Sequence, residues 1–425
     1  MSTIKEHIKI LFKNLANERK NLGISIIIPL LVSLILCLFS SRTAISPYSF
    51  ICILLCPLAS CAFYIFEIST PFIGTSSKWL QLALAFSYGM SSYSLSNAQS
   101  VSGRLAYILL PLFVISLYQF LKGSHALPLL FAFIGFMLID STYAVSLFFV
   151  TVIYCIIFNR SKLGTALANL LHCALLFILS LLVTAPISFL RFGSFFETLS
   201  GSSYTQASFI YSPALFISRF FTGSLPSNYF ENARNIDLGI GTILFILFVL
   251  FFFSNKIKAS DRIRTFAFVL ILFICVDTTP GLYLMDLFHV SNGSISQCGI
   301  VVFTILVIAG IAASHLSDTS PVMLFSGLGI SFLSIPGALL LTAHNFSPVT
   351  LILQLILCAW VALFMILYSK KKAAGLFTLL SVSIYLDLLI GSACTCEANG
   401  VARTSLLPVG DTISTEYPAS IDTRL

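Results

Sequence analysis

Residues 238–264 read LGIGTILFILFVLFFFSNKIKASDRIR, an apolar run that stops abruptly at a basic link. From Ile243 to Phe253 every side chain is apolar, so the alternation of a half-wetted strand and the single stripe of a surface helix are both absent. A segment apolar on all sides is a helix buried in protein or lipid. An outer-membrane barrel would instead show alternating strands of roughly ten residues, and this run excludes it.

The pattern recurs along the chain. Of 425 residues, 58% are hydrophobic and 9% charged, and the mean hydropathy of +1.00 leaves far too much apolar surface for one water-soluble core. Backbone exposed to lipid must satisfy its own hydrogen bonds, so the spans are helices. The predicted fold class is all-α, a polytopic helical bundle. Apolar runs long enough for a bilayer core of about 30 Å fall at 22–41, 48–68, 79–96, 104–121, 125–140, 142–158, 165–189, 239–254, 264–280, 296–314, 321–342, 347–369 and 374–393, about thirteen spans. The third, WLQLALAFSYGMSSYSLSNAQ, crowds serine and asparagine into its second half, so a re-entrant segment is the other reading.

The formal charge of +7 does not point to nucleic acid, because the basic residues sit in short links between spans. With the N-terminus inside, Lys5, Lys9, Lys13, Arg19, Lys20, Lys78, Lys122, Arg160, Lys162, Lys256, Lys258, Arg262, Arg264 and Lys370 to Lys372 share the cytoplasmic side. That is sixteen of the 23 basic residues, as the positive-inside rule requires, and an odd number of spans puts the C-terminus outside. Residues 1–21 are basic with helically spaced apolar positions and predict an amphipathic surface helix, retained without cleavage. The membrane domain is 22–393, with longer outer segments at 190–238 and 281–295, and 394–425 is a polar outer tail too small for a core. Most of the eleven cysteines lie in or beside apolar spans as small hydrophobes. Cys394 and Cys396 are separated by one residue and lack metal-ligand spacing.

The segments LAFSYGMSSY (84–93), ILLPLFVISLYQFLKG (108–123), IDSTYAVSLFFVTVIYCIIF (139–158), LVTAPISFL (182–190), SPALFISRFFTGSLPSN (212–228), HVSNGSISQCGIVVFTIL (289–306) and SIYLDLLIGSA (383–393) follow an order and spacing that resemble the YfhO-type bacterial membrane proteins. The resemblance covers most of 75–393. It implies a C-type multi-span glycosyltransferase in a bacterial plasma membrane. Such an enzyme takes sugar from a polyprenyl-phosphate carrier and attaches it to an outer envelope glycopolymer such as a teichoic acid. Membrane lipids, the carrier and the glycopolymer are the implied partners, and nucleic acid is not one. Three departures imply a truncated or divergent member. The first outer link, SSRTAISPY, holds no acid, Gln297 stands where relatives carry a basic residue, and Arg104 lies where an acid is expected near GRLAY. By the same resemblance, an outer C-terminal domain like the family's is not expected within 394–425.

Transfer from a lipid-phosphate sugar needs a base for the acceptor hydroxyl and cationic donors for the leaving phosphate. Outer acids are Asp140, Glu197, Glu231, Asp237, Asp277 and Asp286, and outer arginines, whose planar fork suits phosphate, are Arg104, Arg191, Arg219 and Arg234. Asp140 comes first, within AFIGFMLIDSTYAVSLFFV (132–150), because LIDSTY reads as a tight outer turn with Tyr143 beside it. A helix-end cap is its other reading. Asp277 precedes TTPG and is either catalytic or a turn cap. Asp286 and His289 stand one helical turn apart, suited to a shared divalent cation, to a proton relay, or to the polar side of an interfacial helix. No other cofactor is indicated. Glu67 reads as a structural acid snorkelling from an inner span end, and His172 as a hydrogen bond between helices. Asp387, deep in the last span, demands a partner and is either a packing contact or part of a polar cavity. Neither a phosphate-binding glycine loop nor a nucleophile elbow is present. A polysaccharide polymerase or flippase and a non-enzymatic scaffold of envelope synthesis are the competing readings.

Overall fold

A computed structural model describes residues 18–40, 47–73, 77–96, 101–123, 126–158, 163–199, 213–221, 238–285, 295–316, 319–341, 348–371 and 378–391. Their regular elements are helices. In chain order these are α1 (Arg19–Ser40), α2 (Pro47–Ser69), α3 (Lys78–Gly89), α4 (Ser92–Ser96), α5 (Val101–Leu121), α6 (Leu127–Ile139), α7 (Ser141–Phe158) and α8 (Leu163–Leu199). They continue with α9 (Pro213–Ser218), α10 (Thr242–Phe253), α11 (Ala259–Asp277), α12 (Thr279–Met285), α13 (Ile295–Ser314), α14 (Pro321–Leu341), α15 (Pro348–Lys371) and α16 (Thr378–Gly391). Proline opens α2, α9, α14 and α15, where its missing N–H breaks no helical bond. Residues 1–17 and 392–425 lie outside the described residues, and with them nearly all of the expected surface helix and tail.

Windows in α5, α7, α8 and α13 are long and apolar enough to cross a bilayer. Side chains along α8, including Leu167, Leu171, Leu175, Ile178 and Leu182, are exposed in a helical row, as are Ile263, Phe266, Leu270 and Ile274 of α11. Such faces would aggregate in water and are at home against lipid chains. The molecule is a multi-pass helical membrane protein.

Three differences between the expected spans and the helices bear on the bundle's interior. The segment 165–189 belongs to α8, whose backbone continues to Leu199, so the first ten residues of the expected outer segment 190–238 remain helical. The segment 79–96 is broken: α3 ends at Gly89, Met90 closes it through an N–H to the Phe86 carbonyl, and the Ser91 hydroxyl caps α4 through the Ser94 N–H. The third is α10, twelve residues and so about 18 Å long, too short to cross a bilayer alone. It is the buried centre of the bundle, with α11, α13, α14 and α15 packed around it, and burial in protein tolerates a short helix at membrane depth.

Asp387 explains where α10 begins. Its Oδ2 accepts the Ile243 N–H at 3.0 Å, serving as the cap that Gly241 cannot supply. Gly241 has φ +95°, and an added Cβ would stand 2.8 Å from that oxygen, so backbone conformation and space both require glycine. Of the two readings left open for Asp387, it makes the packing contact.

At the lysine-rich end, Glu18 joins α1 to α3. Its carboxylate accepts from Lys78 Nζ at 2.6 Å, from Asn21 Nδ2 at 2.6 Å and from the Tyr64 hydroxyl at 3.1 Å. The Lys78 bond, ahead of the opposing effect of burial, holds the Glu18 carboxyl below its ordinary 4.5. Two sequence expectations are corrected here. Glu67 does not snorkel: it is 2% exposed and neither carboxylate oxygen has a hydrogen-bond partner among the described residues. His172 makes no interhelical bond within them either, because it sits on the exposed lipid-facing row of α8.

Candidate functional site

The end of the bundle opposite Lys78 gathers a buried polar cluster. Its rim is Asp140, the one extended residue (φ −152°, ψ 102°) between α6 and α7. Aspartate is a favoured N-cap, and Oδ1 accepts the Thr142 N–H at 3.1 Å, the Thr142 hydroxyl at 2.6 Å and the Tyr143 N–H at 3.2 Å. The capping reading of Asp140 therefore holds. It engages one oxygen only: Oδ2 has no hydrogen-bond partner among the described residues, and the residue is partly exposed.

Beneath the cap, Tyr143 is fully buried, its ring stacked on Phe136 with centroids 5.6 Å apart. Its hydroxyl has no hydrogen-bond partner among the described residues. That hydroxyl meets two more tyrosines at Gly299 of α13. An added Cβ there would lie 2.9 Å from Tyr107, 3.0 Å from Tyr93 and 3.1 Å from the Tyr143 oxygen. Tyr107 in turn is locked to Tyr88 by reciprocal bonds from each hydroxyl to the other's carbonyl, at 3.1 and 2.6 Å, with the rings stacked at 4.0 Å. Two residues before Gly299, buried Gln297 donates through Nε2 to the Ser146 hydroxyl at 3.4 Å, and Ser146 donates to the Met285 carbonyl at 3.0 Å. The start of α13 is thus tied to α7 and the end of α12.

Arg104 lies one turn before Tyr107 on α5, nearer the end of the bundle that carries Asp140. It is 3% exposed, with Nη2 donating to the Leu95 carbonyl at 3.2 Å and Nη1 3.8 Å from the Cys56 sulfur. The short α4 makes this possible, because Leu95 stands at its last turn, where a carbonyl has no following helical N–H to bond. Asp140 makes no ion pair with Arg104 or any other described residue.

The remaining candidates are dispersed. Arg219 is buried in the turn after α9, whose Phe216 and Phe220 pack on Phe273 and Phe245, which sets it beside α10 and α11. Asp277 is 6% exposed at the end of α11, but the turn that follows is capped by the Thr278 hydroxyl, which takes the Gly281 N–H at 3.1 Å. Arg191 and Glu197 lie on the backbone of α8, with side chains outside the described set. Asp286, His289, Glu231, Arg234 and Asp237 also lie outside it. Among the described residues no three His, Cys, Asp or Glu side chains form a metal-binding group.

The sequence brought forward Asp140, Tyr143 and Arg104, and the structure places all three in or at the rim of one cluster. It did not single out Tyr93, Tyr107, Ser146 or Gly299. The available signal was the hydroxyl-rich half of 79–96 and the closely spaced Gln297 and Gly299 at the start of an otherwise apolar helix.

No curated protein and no solved structure matches the chain. Residues 17–408 match the family described as Bacterial membrane protein YfhO, a stretch that extends the resemblance seen in 75–393 through α1 and α2. With that match over most of its length, the chain belongs to the YfhO family of bacterial membrane proteins.

Proposed function

We propose that the protein is a membrane glycosyltransferase of the C-type fold. It transfers a sugar from a polyprenyl-phosphate carrier to a hydroxyl of an envelope glycopolymer resembling a teichoic acid. The observation that supports this reading is the division of labour within Asp140: Oδ1 is fixed by three donors, while Oδ2, at the rim of a buried polar cluster, is engaged by none of the described residues. A carboxylate held in place through one oxygen is oriented to accept a proton with the other. In the reaction, the acceptor hydroxyl oxygen bonds to the anomeric carbon as the bond from that carbon to the phosphate oxygen breaks. The hydroxyl proton passes to Asp140, and the electron pair leaves on the carrier phosphate. The Tyr143 hydroxyl and Arg104 supply donors to the leaving phosphate. The setting is a bacterial plasma membrane, with the lysine-rich links inside and the cluster opening outside.

The test is Asp140→Asn in purified protein reconstituted in bilayers with a polyprenyl-phosphate sugar and a teichoic acid, followed by sugar incorporation. Asparagine keeps the cap and removes the base, so transfer should fall by about 10²- to 10⁴-fold with the fold intact. Undiminished transfer refutes the assignment. A scaffold without enzymatic activity is the second reading, favoured by one observation: Arg104 is buried and bound to the Leu95 carbonyl. A flippase draws less support, since it would need charged groups deep along a central path, and the two deep candidates, His172 and Asp387, line none among the described residues. His172 faces outward and Asp387 caps α10.

A further inference from the structure

The lipid-facing surface carries an apolar cleft of about 600 Å³ between α10, α11 and α14. Phe252, Phe266, Leu270, Phe273 and Ile330 line it, with Phe252 and Phe266 edge to face at 5.9 Å. A second apolar cleft, of about 240 Å³ between α5, α7, α11 and α13, has no charged residue in its lining. The first does. Arg262, in the first turn of α11, lines it at the lysine-rich end. Its guanidinium offers five N–H donors, of which Nη1 is engaged by the Phe252 carbonyl at 2.9 Å, while Nε is buried with no acceptor among the described residues. The adjoining link adds Lys256, Lys258 and Arg264 against the single acid Asp261. Lys256 and Lys258 are exposed.

An apolar groove open to the bilayer, ending in a guanidinium with spare donors and flanked by lysines, complements a lipid with a phosphate head and hydrocarbon tails. We propose that this cleft binds an anionic glycerophospholipid from the leaflet on the lysine-rich side. Its phosphate rests on Arg262 and one acyl chain lies between Phe266, Leu270 and Ile330. The assignment is independent of the sugar-transfer reading. It concerns the opposite end of the bundle and a lipid that is not consumed.

The experiment is native mass spectrometry of the full chain in a neutral detergent, titrated with phosphatidylglycerol and with phosphatidylcholine of the same acyl chains. Wild type should prefer phosphatidylglycerol by roughly fivefold or more, and Arg262→Gln should bring the two lipids level while Lys256→Gln keeps most of the preference. Arg262 also closes the end of α10, so a second measurement uses wild type alone. Phosphatidylglycerol with a photoactivatable acyl chain should crosslink to peptides holding Phe266, Leu270 or Ile330. Equal binding of the two lipids, selectivity that survives Arg262→Gln, equal losses in both variants, or crosslinks confined elsewhere would each overturn the proposal.

Discussion

The Asp387 carboxylate on α16 accepts the Ile243 N–H of α10 at 3.0 Å, so one helix is capped by a side chain 144 residues away. In most helices the cap belongs to the residue before the first turn. Here that residue is Gly241, whose positive φ and lack of a side chain leave room for the visiting carboxylate. Asp387→Ala should therefore destabilise the protein by about 1–3 kcal/mol, because it leaves a buried donor unpaired, and Asp387→Asn should cost less. Gly241→Ala should also be destabilising, by about 1–2 kcal/mol from backbone strain alone. The double variant should lose less than the sum, since removing the carboxylate removes the clash. Thermal unfolding of the four proteins in one detergent measures this.

Asp140 gives the complementary result. Its cap is local, so Asp140→Ala should lower stability by about 0.5–2 kcal/mol while Asp140→Asn stays near wild type. A matching loss in both variants would show that the charge, rather than the acceptor geometry, holds the turn between α6 and α7.

Gly299 is where three tyrosines converge. Gly299→Ala places a methyl group within about 3 Å of all of them and should cost about 1–3 kcal/mol by overpacking. Tyr143→Phe removes the oxygen nearest that methyl group and should recover part of the loss. No recovery in the double variant would mean that Tyr93 and Tyr107 alone set the limit.

The contact between Glu18 and Lys78 should respond to acid. Its carboxyl lies below the ordinary 4.5, so the stabilisation is fully present above that value and disappears as pH falls through the lower folded value. Hydrogen exchange at the start of α1 should quicken over that range in wild type, and Lys78→Gln should move the transition to higher pH. A profile independent of pH would remove the carboxylate from the contact.

Glu67 allows a prediction from the opposite circumstance. A buried carboxyl with no hydrogen-bond partner among the described residues contributes no bond there that glutamine would lose, so Glu67→Gln should keep or raise the unfolding temperature. Glu67→Ala should lower it through the space left behind.

What the sequence revealed follows the range of each interaction. Asp140 could be read because its partners, Thr142 and Tyr143, are its neighbours in the chain. The weakness of 79–96 was visible in its serines, which became the break at Met90 and Ser91. Asp387 announced a need for a partner, but nothing local names Ile243. Glu67 misled because hydropathy places it near a span end, while its burial depends on how the helices pack around it. The length of α8 was hidden for a related reason: Arg191 and Glu197 end the apolar run without ending the helix. At the site, Asp140, Tyr143 and Arg104 were legible as residue types. Their assembly around Gly299 was not, since it joins α4, α5, α7 and α13.

The reach of Asp387 also governs the order in which a newly made chain reaches its final form. When the ribosome finishes α10, that helix enters the bilayer with an open amino end, and the group that will close it has not yet been synthesised. Until residue 387 has been made, the Ile243 N–H lacks the carboxylate that receives it in the finished fold. A chain halted before residue 387 would carry every residue of the tyrosine cluster and still leave the middle of the molecule ajar.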